Sequence, residues 1–94
     1  MTPGGPTRYE LRVAGPAARQ LDGLPDKVAA AIVEFILGPL LDDPHRVGGP
    51  LRRELEGLHS ARRGAYRVVY EIHDQASRVI VLRVDHRATV YRPG

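Results

Sequence analysis

"YRVVYEI" (residues 66–72) and "VIVLRVDHR" (79–87), joined by the polar turn "HDQASR" (73–78), decide the fold. Both runs are rich in β-branched and aromatic residues, which fill a pleated surface well, so the spacing predicts two antiparallel strands of one hairpin. Side chains alternate across a strand. On the first strand Tyr66, Val68, Tyr70 and Ile72 therefore share one face, and Arg67, Val69 and Glu71 the other. On the second, Ile80, Leu82, Val84 and His86 alternate with Val79, Val81, Arg83 and Asp85. Each strand offers a face for a core and a second face that mixes valine with charge.

Working outward, residues 55–63 are expected to add a strand before the hairpin, and "ATVYRPG" (88–94) a short edge segment or single turn. Near the N-terminus "TRYELRVAG" (7–15) sets Tyr9, Leu11 and Val13 against Arg8, Glu10 and Arg12, the pattern of a half-buried strand. Gly15 and Pro16 break that strand. Pro16 suits the first position of a short helix that reaches Leu21 and is closed by Gly23. A second helix opens at Pro25, with Asp26 in the first turn where the helix dipole favours a carboxylate. Its Val28, Ile32, Phe35 and Ile36 recur at i, i+4, i+7 and i+8 and mark a core-facing stripe. Gly38-Pro39 is expected to end or kink this helix, leaving "LLDDPHRVGGP" (40–50) as a connector. The order β-α-α-β-β-β implies an α+β fold: a mainly antiparallel sheet packed against an N-terminal helical hairpin.

The 94 residues are expected to form one domain over 1–94, with the Pro/Gly-rich residues 1–6 frayed, since a chain this short cannot bury two cores. With 43% hydrophobic and 27% charged residues the composition is that of a globular protein. No cysteine is present, which removes disulfides and cysteine-based zinc sites and fits a reducing cytoplasm. No apolar run is long enough for a membrane span or a signal peptide, so a cytoplasmic protein with no membrane partner is expected.

Charge is unevenly placed. Residues 1–45 carry four basic and six acidic side chains, a net of −2, while residues 46–94 carry ten arginines and five acids, a net of +5. Thirteen of the 14 cationic residues are arginine, whose planar fork suits bidentate phosphate binding; a GC-rich genome also favours arginine, but codon bias does not explain the placement. Two readings fit the second face of the sheet: a solvated surface with ion pairs such as Arg67 with Glu71, or a shallow cationic groove, including Arg83, for a phosphodiester backbone. Of the four histidines, His45 and His73 fall in polar connectors. His59 and His86 lie beside arginines, Arg62–Arg63 and Arg87, which makes them candidates for proton transfer near neutral pH. The histidines show no metal-ligand spacing, and the chain has no Gly-rich phosphate loop and no G-x-S-x-G elbow, so neither a metal nor a cofactor is implied.

"PLRRELEGLHSARRGAYRVVYEI" (50–72) and "DHRATVY" (85–91) resemble the RelE/ParE superfamily of type II toxin–antitoxin toxins, and within it the RelE branch. The family shows a Pro-Leu, a Leu-x-Gly, a basic strand, a Y/H-R-h-h-Y strand and a basic tail before a terminal tyrosine; the likeness runs from Ala18 to Tyr91. The resemblance implies the same architecture and a ribosome-dependent endoribonuclease that cuts mRNA in the ribosomal A site without a metal. It implies that Arg67 contacts the scissile phosphate, that Arg87 is a second phosphate stabiliser, and that Tyr91 stacks on a base and assists proton transfer. His86 matches a position that is basic in relatives and is the candidate base or acid; Arg62 and Arg63, with His59 behind them, match the basic preceding strand. The chain departs from relatives in having no lysine in residues 46–94, and Glu54 and Glu56 are no certain counterpart of a glutamate some relatives use. The implied partners are a cognate antitoxin with an acidic amphipathic segment, the ribosome with its mRNA, and operator DNA reached through the antitoxin. A gyrase poison of the ParE kind and an inactive antitoxin-binding partner are the alternatives.

Overall fold

The computed structural model describes residues 8–51 and 57–86. Residues 1–6, expected to fray, the terminal segment 88–94, Glu54, Glu56 and the candidates Arg87 and Tyr91 lie outside the described residues. The elements are β1 (Glu10–Val13), α1 (Gly15–Asp22), α2 (Asp26–Phe35), β2 (Gly49–Pro50), β3 (Leu58–Arg63), β4 (Tyr66–His73) and β5 (Arg78–His86). They form a five-stranded sheet in the order β1-β5-β4-β3-β2. Every neighbouring pair is antiparallel except β1 with β5. The architecture is the α+β arrangement the sequence pattern implies, with the short strand β2 as an addition. Because β1 and β2 lie on opposite edges, the helices between them carry the chain across one face: α1 packs on β5 and Phe35 of α2 meets Arg63 of β3.

The covered face holds the core. Ala17, Ile32, Phe35, Ile36, Leu40 and Leu41 from the helical side meet Ala61, Val68, Tyr70, Val79, Val81 and Val84 from the sheet. Gly38-Pro39 does not end the helix. Ile36–Leu40 form a π-helical turn around Pro39, and helical structure continues to Asp42. The wider turn lets the chain pass a residue with no amide donor and still bury Leu40 and Leu41. The Arg8 guanidinium closes this end: it donates to the Leu37 and Gly38 carbonyls and, through Nε, to Asp42 Oδ1 at 2.7 Å.

The strict alternation read on the second hairpin strand is corrected by a bulge. Tyr70 pairs with Val81 but Val69 pairs with Arg83, so Leu82 is an extra residue in β5. Ahead of it Val79 and Val81 face the helices; beyond it Val84 does, opposite Val68. A two-residue turn joins β3 and β4, with Gly64 at φ 59°, a region that side chains rarely enter.

Tyr70 ties the connector to the sheet. Its side chain is fully buried, its hydroxyl donates to the Pro44 carbonyl at 2.8 Å, and burial pushes its ionisation up to about 12. Gly48 passes so close to this group that a Cβ there would collide with the Ser60 carbonyl and the Tyr70 hydroxyl, whereas a Cβ on Gly49 would meet open space. Gly48→Ala is therefore expected to lower stability by about 1–3 kcal/mol in urea unfolding, the usual cost of overpacking. Gly49→Ala should change it by less than about 0.5 kcal/mol, as a surface change does. Equal effects of the two would contradict this packing.

Candidate functional site

The helices leave the other face of the sheet uncovered, and register decides what shares it. Arg62 on β3 lies directly across from Arg67 on β4, which lies across from Asp85 on β5. In the next row Ser60, Val69 and Arg83 stand side by side. Three arginines thus surround Val69, which is only 2% exposed although it is outside the helix-side core. Directly opposed like charges, with Cβ atoms about 5 Å apart, disfavour pairing of the strands. Among the described residues neither Arg62 nor Arg67 forms an ion pair that would relieve this. Glu71, the expected partner of Arg67 on a solvated face, instead meets His73 at 2.9 Å. Arg83 is paired, its Nε 3.2 Å from Asp85 Oδ2. The face therefore holds an uncompensated arginine pair beside a third, anchored arginine. Such a surface can take an anion with two or more phosphate oxygens.

The remaining described candidates lie elsewhere. Arg63 points to the helical side, its guanidinium 4.8 Å from the centre of the Phe35 ring, at the mouth of a groove of about 510 Å³ lined by Lys27, Glu34 and Tyr66 among others. It does not share the surface of Arg62 and Arg67. His86 pairs across the strands with Tyr66, and their rings meet edge to face at 5.0 Å. It follows Asp85 directly, at the last described position of β5, and its pairing with Tyr66 puts it on the helical side of the sheet. His59 lies opposite Tyr70, three residues along the sheet from Arg67, and stacks on that ring at 5.8 Å. Its other ring neighbour is His45 at 5.9 Å, and its Nδ1 is buried with no partner. The structure therefore brings Arg62, Arg67 and Arg83 together and sets His59 and Arg63 apart from them.

Two residues absent from the sequence candidates belong here. Asp85 is the one charged side chain buried among the described residues, and Gln20 of α1 reaches it. The signal for Asp85 was present as the sole acid in "VIVLRVDH"; nothing in the helix pattern singled out Gln20.

The fold is that of a toxin class. A family model described as the ParE toxin of type II toxin–antitoxin systems matches residues 11–91, and the chain belongs to this family. Two Mycobacterium tuberculosis proteins, Toxin RelE and Toxin RelG, are 56% and 54% identical to it, each over 84 residues. The matches span 89% of this chain and 87% and 97% of those proteins. A chain of the crystal structure of the toxin–antitoxin complex RelBE2 from the same organism superposes with a TM-score of 0.82 at 52% identity, covering 86% of this chain and 100% of that one. The RelE/ParE membership implied by residues 50–72 and 85–91 is thus established.

His59 also sets a pH dependence. Burial first, and then His45, hold its imidazole below the ordinary value of 6.5, while Asp74 pulls the other way. The unfolded chain then binds this proton more readily than the folded one, so stability falls as pH drops from about 6.5 toward the lowered folded value and is level above that window. Asp74 acts at lower pH: hydrogen bonds from Tyr9 and then His45 hold its carboxyl below its ordinary range, so its contribution is lost only as pH falls through the folded value. Urea midpoints measured between about pH 5 and 6.5 should therefore slope less for His59→Gln than for the unaltered chain. Parallel slopes would remove His59 as the cause.

Proposed function

We propose that the protein is a ribosome-dependent endoribonuclease that cleaves mRNA in the ribosomal A site. One observation carries this reading: Arg62 and Arg67 face each other across two strands on the helix-free side, and among the described residues neither is in an ion pair. A sheet maintains such a repulsive pair where an anionic ligand relieves it. The names of its relatives at more than half identity, RelE and RelG, point the same way.

The chemistry is transesterification within the RNA. The ribose 2′-oxygen attacks the adjacent phosphorus while the bond to the 5′-oxygen breaks, leaving a 2′,3′-cyclic phosphate and a 5′-hydroxyl. One proton leaves the 2′-hydroxyl and one reaches the departing 5′-oxygen. No metal is needed if guanidinium groups take up the charge that gathers on the phosphorane. Arg67 does this at the scissile phosphate, with Arg62 and Arg83 holding the neighbouring backbone. Arg87 is the second stabiliser, Tyr91 stacks on a base, and His86, at the strand end next to Asp85, moves a proton. A site without a strong base depends on substrate alignment, which the ribosome supplies.

The partner in the cell is an antitoxin whose acidic amphipathic segment covers the cationic surface, and the pair reaches operator DNA through the antitoxin. The protein acts in the cytoplasm; among the described residues no helix is long and apolar enough to cross a membrane. The description of the matching family as a ParE toxin favours a second reading, a gyrase poison that catalyses nothing.

In a reconstituted translation reaction, primer extension should show ribosome-dependent cuts, and Arg67→Ala should slow them about 10²–10³-fold, the usual cost of losing a transition-state charge partner. Cuts in free RNA at the same rate would contradict ribosome dependence. Inhibited supercoiling by gyrase with intact mRNA would establish the second reading. Co-expression with its antitoxin should raise the thermal midpoint, because a ligand that binds only the folded state stabilises it; an unchanged midpoint would contradict the partnership.

A further inference from the structure

Asp85 sits where it could disable the site. It lies directly across from Arg67, on the same face, and is only 8% exposed. A buried carboxylate is tolerated when its oxygens are hydrogen-bonded, and an arginine one strand away would ordinarily be the partner. The oxygens are committed elsewhere. Oδ2 is ion-paired with Arg83, 3.2 Å from its Nε, and Oδ1 accepts from Gln20 Nε2 at 3.1 Å.

Gln20 is itself fixed. Its Oε1 accepts the Val84 backbone N–H at 2.8 Å. This amide lies on the edge of β5 beyond the point where β1 stops pairing, since β1 reaches only Val81. The side chain of Gln20 thus continues the edge that β1 leaves open. Its orientation is unambiguous: the carbonyl must face the amide and the amino group the carboxylate, because a flip would oppose two donors and two acceptors. Two residues along one strand face, Arg83 and Asp85, are thereby locked from a helix on the edge.

We propose that Gln20 is a positioning residue that holds the Asp85 carboxylate on Arg83 and away from Arg67, leaving Arg67 open to phosphate and presenting the terminal nitrogens of Arg83 beside it. Arg83 is diagonal to Arg67 across the β4–β5 pair, a separation long side chains span. The inference rests on the nuclease reading for its effect on activity but not for its effect on the arginines. Without Gln20, Asp85 loses one partner and turns to the nearest unpaired guanidinium, that of Arg67, and neutralises it.

The test compares Gln20→Leu, Asp85→Asn and the double variant by two readouts. In ribosome-dependent cleavage, Gln20→Leu should slow cutting by about tenfold or more, as a misplaced charge partner does. Adding Asp85→Asn should restore part of that rate, because the carboxylate that captures Arg67 is gone. A merely structural role would make the double variant slower still, and that result would overturn the proposal. In the arginine Nε–H region of the NMR spectrum without ribosomes, Asp85→Asn should move the Arg83 signal, and Gln20→Leu should move both the Arg83 and Arg67 signals. An Arg83 signal unmoved by Asp85→Asn, which is nearly isosteric and expected to fold, would also overturn it. If the NMR shifts appear but the unaltered protein cuts no mRNA, the nuclease reading alone fails.

Discussion

The pairing of β4 with β5, and the single extra residue Leu82 within it, sets which side chains meet on each face of the sheet. A one-residue shift in a strand exchanges its faces. Without the bulge, the register that places Val79 and Val81 on the core would turn Val84 away from the helices and Arg83 and Asp85 toward them. With it, one strand supplies Val79, Val81 and Val84 to the core and still presents Arg83 and Asp85 on the open side. The places of Val84 in the core and of Arg83 and Asp85 beside Arg67 are therefore consequences of one local irregularity.

Stability and function pull against each other on that open face. Opposed arginines weaken the β3–β4 pair, and the buried Asp85 carboxylate costs solvation. The helical side offsets both through a continuous apolar cluster and the Tyr70 hydroxyl bond to Pro44. The far end of the sheet adds a polar knot in which Asp74 accepts from Tyr9 at 2.7 Å and meets His45 Nε2 at 2.8 Å. That knot is where His59 belongs, stacked on Tyr70, so a histidine near two arginines in sequence lies apart from the Arg62–Arg67 pair in the fold.

Much of the fold was legible in the residues. The hairpin, both helices and the α+β order follow from period-2 and period-3.6 patterning that tertiary packing did not override. The bulge was not legible, because in "VIVLRV" nearly every residue is apolar and no alternation marks the shift. Gly38-Pro39 is expected to end or kink the helix; the end does not occur, because the need to bury Leu40 and Leu41 carries helical structure past Pro39 through a π-turn. That Arg67 faces away from the helices was legible from alternation alone. The different directions of Arg62 and Arg63 follow from the same alternation on β3, which fixed register makes explicit.

Those two adjacent arginines offer the most direct measurement of the central claim, that the helix-free face receives the RNA. Ribosome-dependent cleavage by Arg62→Glu and Arg63→Glu should be compared at equal folded concentration, with folding checked by circular dichroism. The geometry predicts that Arg62→Glu, which sets a carboxylate opposite Arg67, abolishes cutting, while Arg63→Glu, on the helical side over Phe35, leaves the rate within a few-fold. Retained cutting by Arg62→Glu, or equal loss in both, would contradict the assignment of the active face.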